Sequence, residues 1–591
     1  MENLYRERHI AYTAKVSAEQ RRSATISTLR VVSFLGFLVS AYLCMSSREL
    51  VWLIPAVLLL VMFLVLLMKH QRSEQKLSFL RNLAEINEQE LGYLQGDLSA
   101  FNAGQAYVNP DHSYSYDLDI FGKSSLFQHI DRTVTSIGKE QLADVLREMQ
   151  PSQPIAVQQQ AIRELSAALN WRQEFLAGAR TKEATADKIS RFLVWLEEPL
   201  SVSPLIRVLM RVMPVLTIGS LLAMIFSDWP YATTAFSSFF MLSFFIVSFQ
   251  MKKIKAEQSQ LDKVSKVLFS YSGLLERVEQ ATFEAPLLRQ LQAQLQKNDV
   301  PAGRSVARLS SILNQLDSIG NVFAVLLFNG LFMYHLQTLR ALAAWKNMHR
   351  ADVAQWFRVI AKFDSLVSLA NYAANHPSFC YPVIEESRLF KAEDLGHPLI
   401  REQARVGNSI DFNASPFVVL TGSNMSGKST FLRTIGINMV MAKVGLPVCA
   451  RSLEMPSLQV YTSMRVTDSL QENESYFFSE LKRLKMIIDH LEDGRHVFVI
   501  LDEILRGTNS NDKYAGTVGL IRSMIARKGV GIIATHDLTV GKLQDEHPNY
   551  LSNKCFEVEI RNEELYFDYK LKEGICQKMS ATFLLKQMQI I

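Results

Sequence analysis

Two uncharged apolar blocks stand near the N-terminus: VVSFLGFLVSAYLCMSS from Val31 to Ser47 and LVWLIPAVLLLVMFLVLLM from Leu50 to Met68. Each is close to the ~20 residues that a helix needs to cross a bilayer. Only Arg48 and Glu49 lie between them. A secretory signal peptide has one such core followed by a small-residue cleavage site, so a paired arrangement predicts a membrane hairpin. A buried globular hairpin is the competing reading, and the near-pure Leu, Val and Met of the second block disfavours it.

A second pair follows, MPVLTIGSLLAMIFS (Met213–Ser227) and YATTAFSSFFMLSFFIVSFQM (Tyr231–Met251), joined by Asp228, Trp229 and Pro230. The first member is short and contains Pro214. Basic residues flank the outer ends of both pairs: Arg6, Arg8, Lys15, Arg21, Arg22 and Arg30, then Lys69, Arg72 and Lys76, then Arg207 and Arg211, then Lys252, Lys253 and Lys255. By the positive-inside rule both hairpins begin and end in the cytoplasm, which places the rest of the chain there. A fifth uncharged run, Ser318–Thr338, contains Asn321, Asn329, His335 and Gln337, which are costly in lipid. It is predicted to be a core helix, which keeps the C-terminal third in the cytoplasm.

The polar segments before Pro382 are helix-like, with apolar residues at 3–4 spacing and few glycines, as in Gln141–Met149, Gln158–Leu169 and Val353–Ala374. From about Phe379 onward, strand-like runs alternate with helices, the pattern of an α/β domain with a mostly parallel sheet. The predicted fold class is therefore two transmembrane helical hairpins, an all-α domain, and a C-terminal α/β domain.

Composition sharpens this picture. The 591 residues are 48% hydrophobic and 20% charged, too apolar for an ordinary soluble enzyme of this length and far from a disordered chain. The formal charge of +5 is too small to argue nucleic-acid binding by itself. Cys44, Cys380, Cys449, Cys555 and Cys576 form no CxxC pair and read as reduced thiols.

The candidate chemistry lies in the C-terminal third. The strand-like PFVVL (Pro416–Leu420) runs into TGSNMSGKST (Thr421–Thr430), and the helix-like FLRTIGINMVMAKVG follows. That is G-x-x-x-x-G-K-S in a strand–loop–helix context, the pattern of a phosphate cradle. Gly422 and Gly427 let backbone N–H groups approach phosphate oxygens, with Ser423, Asn424, Met425, Ser426 and Thr430 completing the loop. Lys428 is expected to reach the β- and γ-phosphates of ATP, and Ser429 to ligate Mg²⁺. Next, the apolar run Val497–Leu501 ends in Asp502 and Glu503. Asp502 is expected to hold Mg²⁺, and Glu503 to orient or deprotonate the attacking water. A further strand, GVGIIAT, leads to His536, positioned to sense the γ-phosphate. A chance glycine turn, a capping acid and a structural histidine are the competing readings of these three features.

These residues resemble the MutS-type DNA mismatch repair ATPases of the ABC class. The matching stretches are TGSNMSGKSTFLRTIG, ILDEILRGTNSNDKYA and IIATHD, with GHPLI (Gly396–Ile400) upstream and FDYKLKEGICQKMSA (Phe567–Ala581) downstream. Ser125–Leu146 and Lys362–Ala373 are similar to the opening and the return of that family's helical lever. The resemblance implies a P-loop ABC-type ATPase that works as a homodimer, with each subunit completing the other's site. DSLQENESYFFSE (Asp468–Glu480) is similar to the family's signature loop, in which Ser475 would face the partner's γ-phosphate in trans. GTNSN (Gly507–Asn511) would lie across the dimer interface. Residues 1–76 show no counterpart of the family's mismatch-reading domain with its Phe-x-Glu wedge, so recognition by wedge insertion is not expected.

The expected organisation is a basic N-terminus (1–30), hairpin 1 (31–68), a connector (69–124), a first lever segment (125–206), hairpin 2 (207–252), a second lever segment (253–378) and the ATPase domain (379–591). The expected function is that of an inner-membrane-anchored, DNA-binding ATPase of mismatch repair or related DNA maintenance. Its partners would be a second copy of the chain, DNA and membrane lipid. A membrane ABC-type ATPase that drives its own hairpins or a protein partner without DNA is the alternative.

Overall fold

A computed structural model of the chain describes every residue except 48, 151–152, 180–185, 262–263, 297–299, 318–321, 424, 466–475, 562–563 and 578–591. The described residues are mostly helical up to Asn375, and a mixed β region follows. Helices α1 (Glu2–Ser47) and α2 (Leu53–Leu94) pack along each other as a long antiparallel hairpin. Neither breaks where its apolar block ends. The polar half of α1 stays attached to α2, where Glu19 accepts from Ser73 at 2.7 Å and Ser23 donates to Glu74 at 2.5 Å.

A helical body follows: α3 (Leu126–Ile130), α4 (Ser136–Arg147), α5 (Ile155–Ala167), α6 (Leu169–Ala179) and α7 (Ala186–Glu197). The second hairpin is α8 (Pro204–Phe226) and α9 (Ala232–Gln260). Helix α8 is longer than the apolar run predicts. Its N-cap is Ser203, whose side chain accepts from the Ile206 N–H, and Pro204 occupies the first turn. Pro214 is accommodated inside the helix. The body resumes with α10 (Val264–Gln280), α11 (Pro286–Ala293), α12 (Ala302–Leu316), α13 (Val322–Phe332) and α14 (Tyr334–Asn375).

Among the described residues four helices, α1, α2, α8 and α9, are long and apolar enough to cross a membrane. Their apolar faces are open, with Met45, Phe226 and Phe249 all more than 80% exposed.

The predicted core helix at Ser318–Thr338 needs correction. Its described part is two helices, α13 and α14, separated by Met333 in the left-handed region at φ +51°. Leu326, Leu327, Phe328 and Phe332 of α13 are exposed. The break carries no Gly or Pro that would announce it. Instead, the Asn329 side chain caps it by accepting from the His335 N–H at 3.1 Å.

The β region holds two sheets. A small one has the order β1 (Val383–Ile384), β5 (Ser452–Met455), β2 (Lys391–Leu395), β3 (Asn408–Asp411). The larger has the order β10 (Glu564–Glu573), β9 (Leu551–Arg561), β4 (Phe417–Gly422), β8 (Val530–Thr535), β7 (Val497–Asp502), β6 (Gln459–Ser463). From β9 to β6 every pairing is parallel, and β10 joins antiparallel. Strands β4 and β7 are buried at every position, as central strands covered on both faces must be. Helices α15 (Lys428–Lys443), α16 (Tyr476–Glu492), α17 (Ser510–Ala526) and α18 (Leu543–Glu546) connect the strands. The C-terminal ends of β4, β7 and β8 meet at one edge, where parallel sheets place ligand sites.

Candidate functional site

Strand β4 delivers the chain to a tight loop ahead of α15. Gly422 ends the strand at φ +156°, and a Cβ there would sit 2.8 Å from the Phe556 carbonyl and 2.9 Å from Ser426 Oγ. Gly427 caps α15 in the left-handed region at φ +100°. Both positions therefore require glycine, for close approach in one case and for backbone sign in the other. Lys428 is buried, and its Nζ donates to the carbonyls of Gly422 (2.8 Å) and Ser423 (2.9 Å). Burial pushes its ammonium below the usual lysine range, against the pull of Glu503 and Asp502.

Strands β7 and β8 build the opposite wall. Asp502 is buried at the end of β7, and the nearby Ser429 hydroxyl favours its ionised form. Burial raises the Asp502 carboxyl above its ordinary value. Glu503 follows at φ +49°, a strained setting for a non-glycine residue, and its N–H donates to the Ala534 carbonyl at 3.0 Å. The Glu503 carboxylate pairs closely with Nε2 of His536, while His536 Nδ1 lies 2.9 Å from the Gly422 carbonyl and 3.5 Å from Lys428 Nζ. The bond from His536 is the main reason that the Glu503 carboxyl is held down to about 2. Lys428, Ser429, Asp502, Glu503 and His536 thus converge from three elements that are distant in sequence.

The arrangement suits an anion with a divalent cation. The N-terminus of α15 faces a cavity of about 400 Å³ bounded by Met425–Phe431, Glu503, Phe556 and Tyr569. Ser423 Oγ and Ser426 Oγ are buried without hydrogen-bond partners in the loop. Orphaned hydroxyls beside a helix N-terminus and a buried lysine form an oxyanion cradle. The Ser429 and Asp502 oxygens are hard donors of the kind that Mg²⁺ takes. Met425 and Thr430 are exposed at the loop surface. Asn424 and Ser475 lie outside the described residues, as does most of the stretch similar to a signature loop.

Three neighbours are not signalled by the sequence. Arg506 donates to the carbonyls of Asp502 (3.3 Å) and Glu503 (3.0 Å) and so fixes the acidic turn. Glu480 on α16 accepts from the Leu505 N–H at 2.8 Å, which ties that helix to the same turn. Tyr569 on β10 covers Gly427. All three stand inside the stretches that carry the resemblance, but without an evident role of their own.

A strand–loop–helix anion cradle facing an acidic strand end defines the class of site. Residues 418–586 match the family described as MutS domain V. The chain is 32% identical over 234 residues to the DNA mismatch repair protein MutS of Thermotoga maritima, covering 39% of this chain and 29% of that protein. It is 32% identical over 231 residues to the protein of the same name from a Synechococcus strain, covering 38% and 25%. Against the human MutS protein homolog 4 it is 28% identical over 230 residues, covering 37% and 24%. The C-terminal domain of the chain is thus similar to domain V of the MutS proteins. It spans less than a third of the length of these curated relatives.

Proposed function

We propose that the chain is a membrane-anchored, MutS-like ATPase that acts on DNA, with ATP hydrolysis coupled to rearrangement of a homodimer and its helical levers. The observation that carries this reading is the convergence of Lys428, Ser429, Asp502, Glu503 and His536 at one sheet edge within a MutS domain V. Gly422–Thr430 would cradle the triphosphate, with Lys428 leaving the Gly422 and Ser423 carbonyls to meet it. Mg²⁺, held by Ser429 and Asp502, would neutralise phosphate charge. Glu503 is a poor proton acceptor with a carboxyl held near 2. It therefore suits the orientation of the attacking water more than the retention of its proton. His536 supports Glu503 from the side.

DNA as substrate rests on the names of the relatives, which are DNA mismatch repair proteins. The membrane anchor rests on four long apolar helices with open apolar faces, a costly arrangement in water. One observation favours the second reading, an ATPase that works on its own hairpins: α2 runs unbroken from the apolar hairpin into the helical body. ATP turnover of the full-length chain in detergent, with and without homoduplex, mismatched and branched DNA at low salt, separates the readings. Turnover that Lys428→Ala abolishes and DNA stimulates is expected. No turnover removes the ATPase, whereas turnover with neither DNA binding nor DNA response favours the second reading.

A further inference from the structure

Helix α13 combines features that do not fit a cytosolic helix. Val322–Phe332 carries no charge, and Leu326, Leu327, Phe328 and Phe332 are 38–52% exposed. Eleven residues make a helix of about 16 Å, half of the ~30 Å hydrocarbon core. It packs on the second hairpin, against α9 and α8. Gly330 is a point of close approach, since a Cβ there would overlap the Phe240 ring.

Three tie points set the depth of this segment along α9. Just ahead of it, the Asp317 carboxylate accepts from Gln258 at 3.3 Å, beyond the Lys252, Lys253 and Lys255 cluster. Gly330 lies against Phe240, eighteen positions earlier on α9, a climb of about 27 Å at helical rise. Phe240 is twelve positions before Lys252, about 18 Å into the apolar stretch and near its middle. The chain then reverses at Met333 and descends as α14. There Lys346 Nζ donates to the Trp195 carbonyl, and Trp195 Nε1 donates to Glu257 at 2.8 Å, next to Gln258. The segment therefore enters and leaves at the same end of α9.

Much of the reversal is paired within the protein, although Asn329 Nδ2 and His335 Nε2 are buried without hydrogen-bond partners. The Met333 N–H donates to the Asn329 carbonyl at 3.0 Å, and the Leu336 and Gln337 N–H groups donate to the Met333 carbonyl at 3.1 Å. The Gln337 side chain donates to the Phe332 carbonyl at 2.7 Å, and Asn329 Oδ1 accepts from the His335 N–H and lies 2.9 Å from His335 Nδ1. Asn329 and His335 are each about 1% exposed. Non-helical backbone at membrane depth is tolerated where protein satisfies it, and the backbone groups named here are bonded in that way.

We infer that α13 and the first turns of α14 form a re-entrant hairpin that dips to the middle of the bilayer beside α9, with Leu326, Leu327, Phe328 and Phe332 facing lipid. The inference rests on the reading of α8–α9 as membrane-spanning. It assigns a fifth membrane contact that is not a fifth span, so the C-terminal domain stays on the side of Lys252. It also joins the membrane directly to α14, whose far end packs in the helical body near Asn371 and Asn375.

Spin labels on single cysteines test it. With Cys44 and Cys380 changed to Ser, the three remaining thiols are buried. Labels are placed by Leu327→Cys and Phe328→Cys in the full-length chain, in phosphatidylethanolamine–phosphatidylglycerol vesicles. Phe245→Cys on α9 is the lipid control and Met348→Cys on α14 the water control, both at well-exposed positions. Labels at 327 and 328 that collide with oxygen in preference to a water-soluble nickel chelate, as at 245, support the re-entrant hairpin. Nickel-favoured collisions like those at 348, or shielding from both reagents by a second protein surface, overturn it while 245 still reports lipid. Nickel-favoured collisions at 245 as well would instead remove the spanning reading of α8–α9 and the hairpin with it.

Discussion

Arg465 grips Asp119 with both arms of its guanidinium, Nη1 at 2.6 Å from Oδ1 and Nη2 at 2.8 Å from Oδ2. Asp119 lies in the segment after α2, and Arg465 lies just past β6, at the margin of the larger sheet. Arg433 of α15 reaches the same carboxylate at 3.3 Å. Two residues earlier, the buried Asp117 accepts from the Thr462 hydroxyl (2.7 Å), the Met464 N–H (3.1 Å) and the Arg465 N–H (3.0 Å), and it pairs with Arg483 of α16 at 3.2 Å. A short stretch following the first hairpin therefore holds the end of β6, the cradle helix and α16 together.

Burial separates the two aspartates energetically. Asp119 is 39% exposed, so Asp119→Asn should cost about 1 kcal/mol or less. Asp117 is fully buried, and Asp117→Asn removes the counter-charge of Arg483 and sets an amide against two N–H donors, a loss of about 3 kcal/mol. Limited proteolysis across 109–125 should show little change in the first variant and rapid cleavage in the second. Equal sensitivity would mean that the buried contacts do not hold the segment.

Glu503→Gln keeps the shape of the acidic turn and removes the carboxylate. Through loss of water orientation it should lower ATP turnover by about 100-fold while leaving nucleotide binding intact. With the carboxyl held down to about 2, Glu503 stays ionised across the accessible range. Any loss of wild-type turnover as pH falls from 7 to 5 must then come from another group. Unchanged turnover in the Glu503→Gln variant removes Glu503 from the chemistry.

The site was legible because its parts obey local rules: a glycine loop between strand and helix, and a carboxylate pair where an apolar strand stops. The four apolar helices were equally legible as uncharged runs. Their true extents were not, because α1 and α2 continue through polar sequence without a breaking residue, and membrane depth does not end a helix. The start of α8 carried a readable Ser203–Pro204 signal that the apolar pattern overshadowed. The turn at Met333 was invisible, since a side-chain cap from Asn329 replaces the expected glycine. Asp117 and Asp119 could not be matched to Arg483, Arg465 and Arg433 from sequence, because more than 300 residues separate the partners.

A buried charge near the other end of the first hairpin gives a stability prediction. Glu90 of α2 accepts from Arg132 Nε (2.6 Å), Asn371 (2.9 Å) and Asn375 (2.8 Å), and Asn375 in turn accepts from the Tyr5 hydroxyl of α1 at 2.8 Å. Glu90→Ala leaves Arg132 buried without its counter-charge and should cost about 3–5 kcal/mol. Tyr5→Phe removes one neutral bond and should cost about 1 kcal/mol. Denaturant melts of the detergent-solubilised chain check the ranking, and a Glu90→Ala loss no larger than that of Tyr5→Phe would contradict it.

Lys443 closes the cradle helix α15 and supplies a pH-dependent term. Its Nζ donates to the Tyr114 hydroxyl at 2.7 Å and to the Glu148 carbonyl, so α15 is fastened to the segment after α2 and to the end of α4. Burial pushes its ammonium down to about 7 from 10.5, while burial raises the Tyr114 phenol, which stays neutral beside it. Between those two pH values the folded chain binds fewer protons at this position than the unfolded chain does. Its contribution to stability must therefore rise with pH from about 7 to 10.5 and be smallest below 7, where the folded state is forced to bury a charge. Thermal melts of the wild type should shift upward between pH 7 and 9.5 relative to those of Lys443→Met, in which this slope is absent. Parallel curves for the two proteins would assign the proton to another group and leave Lys443 charged at neutral pH.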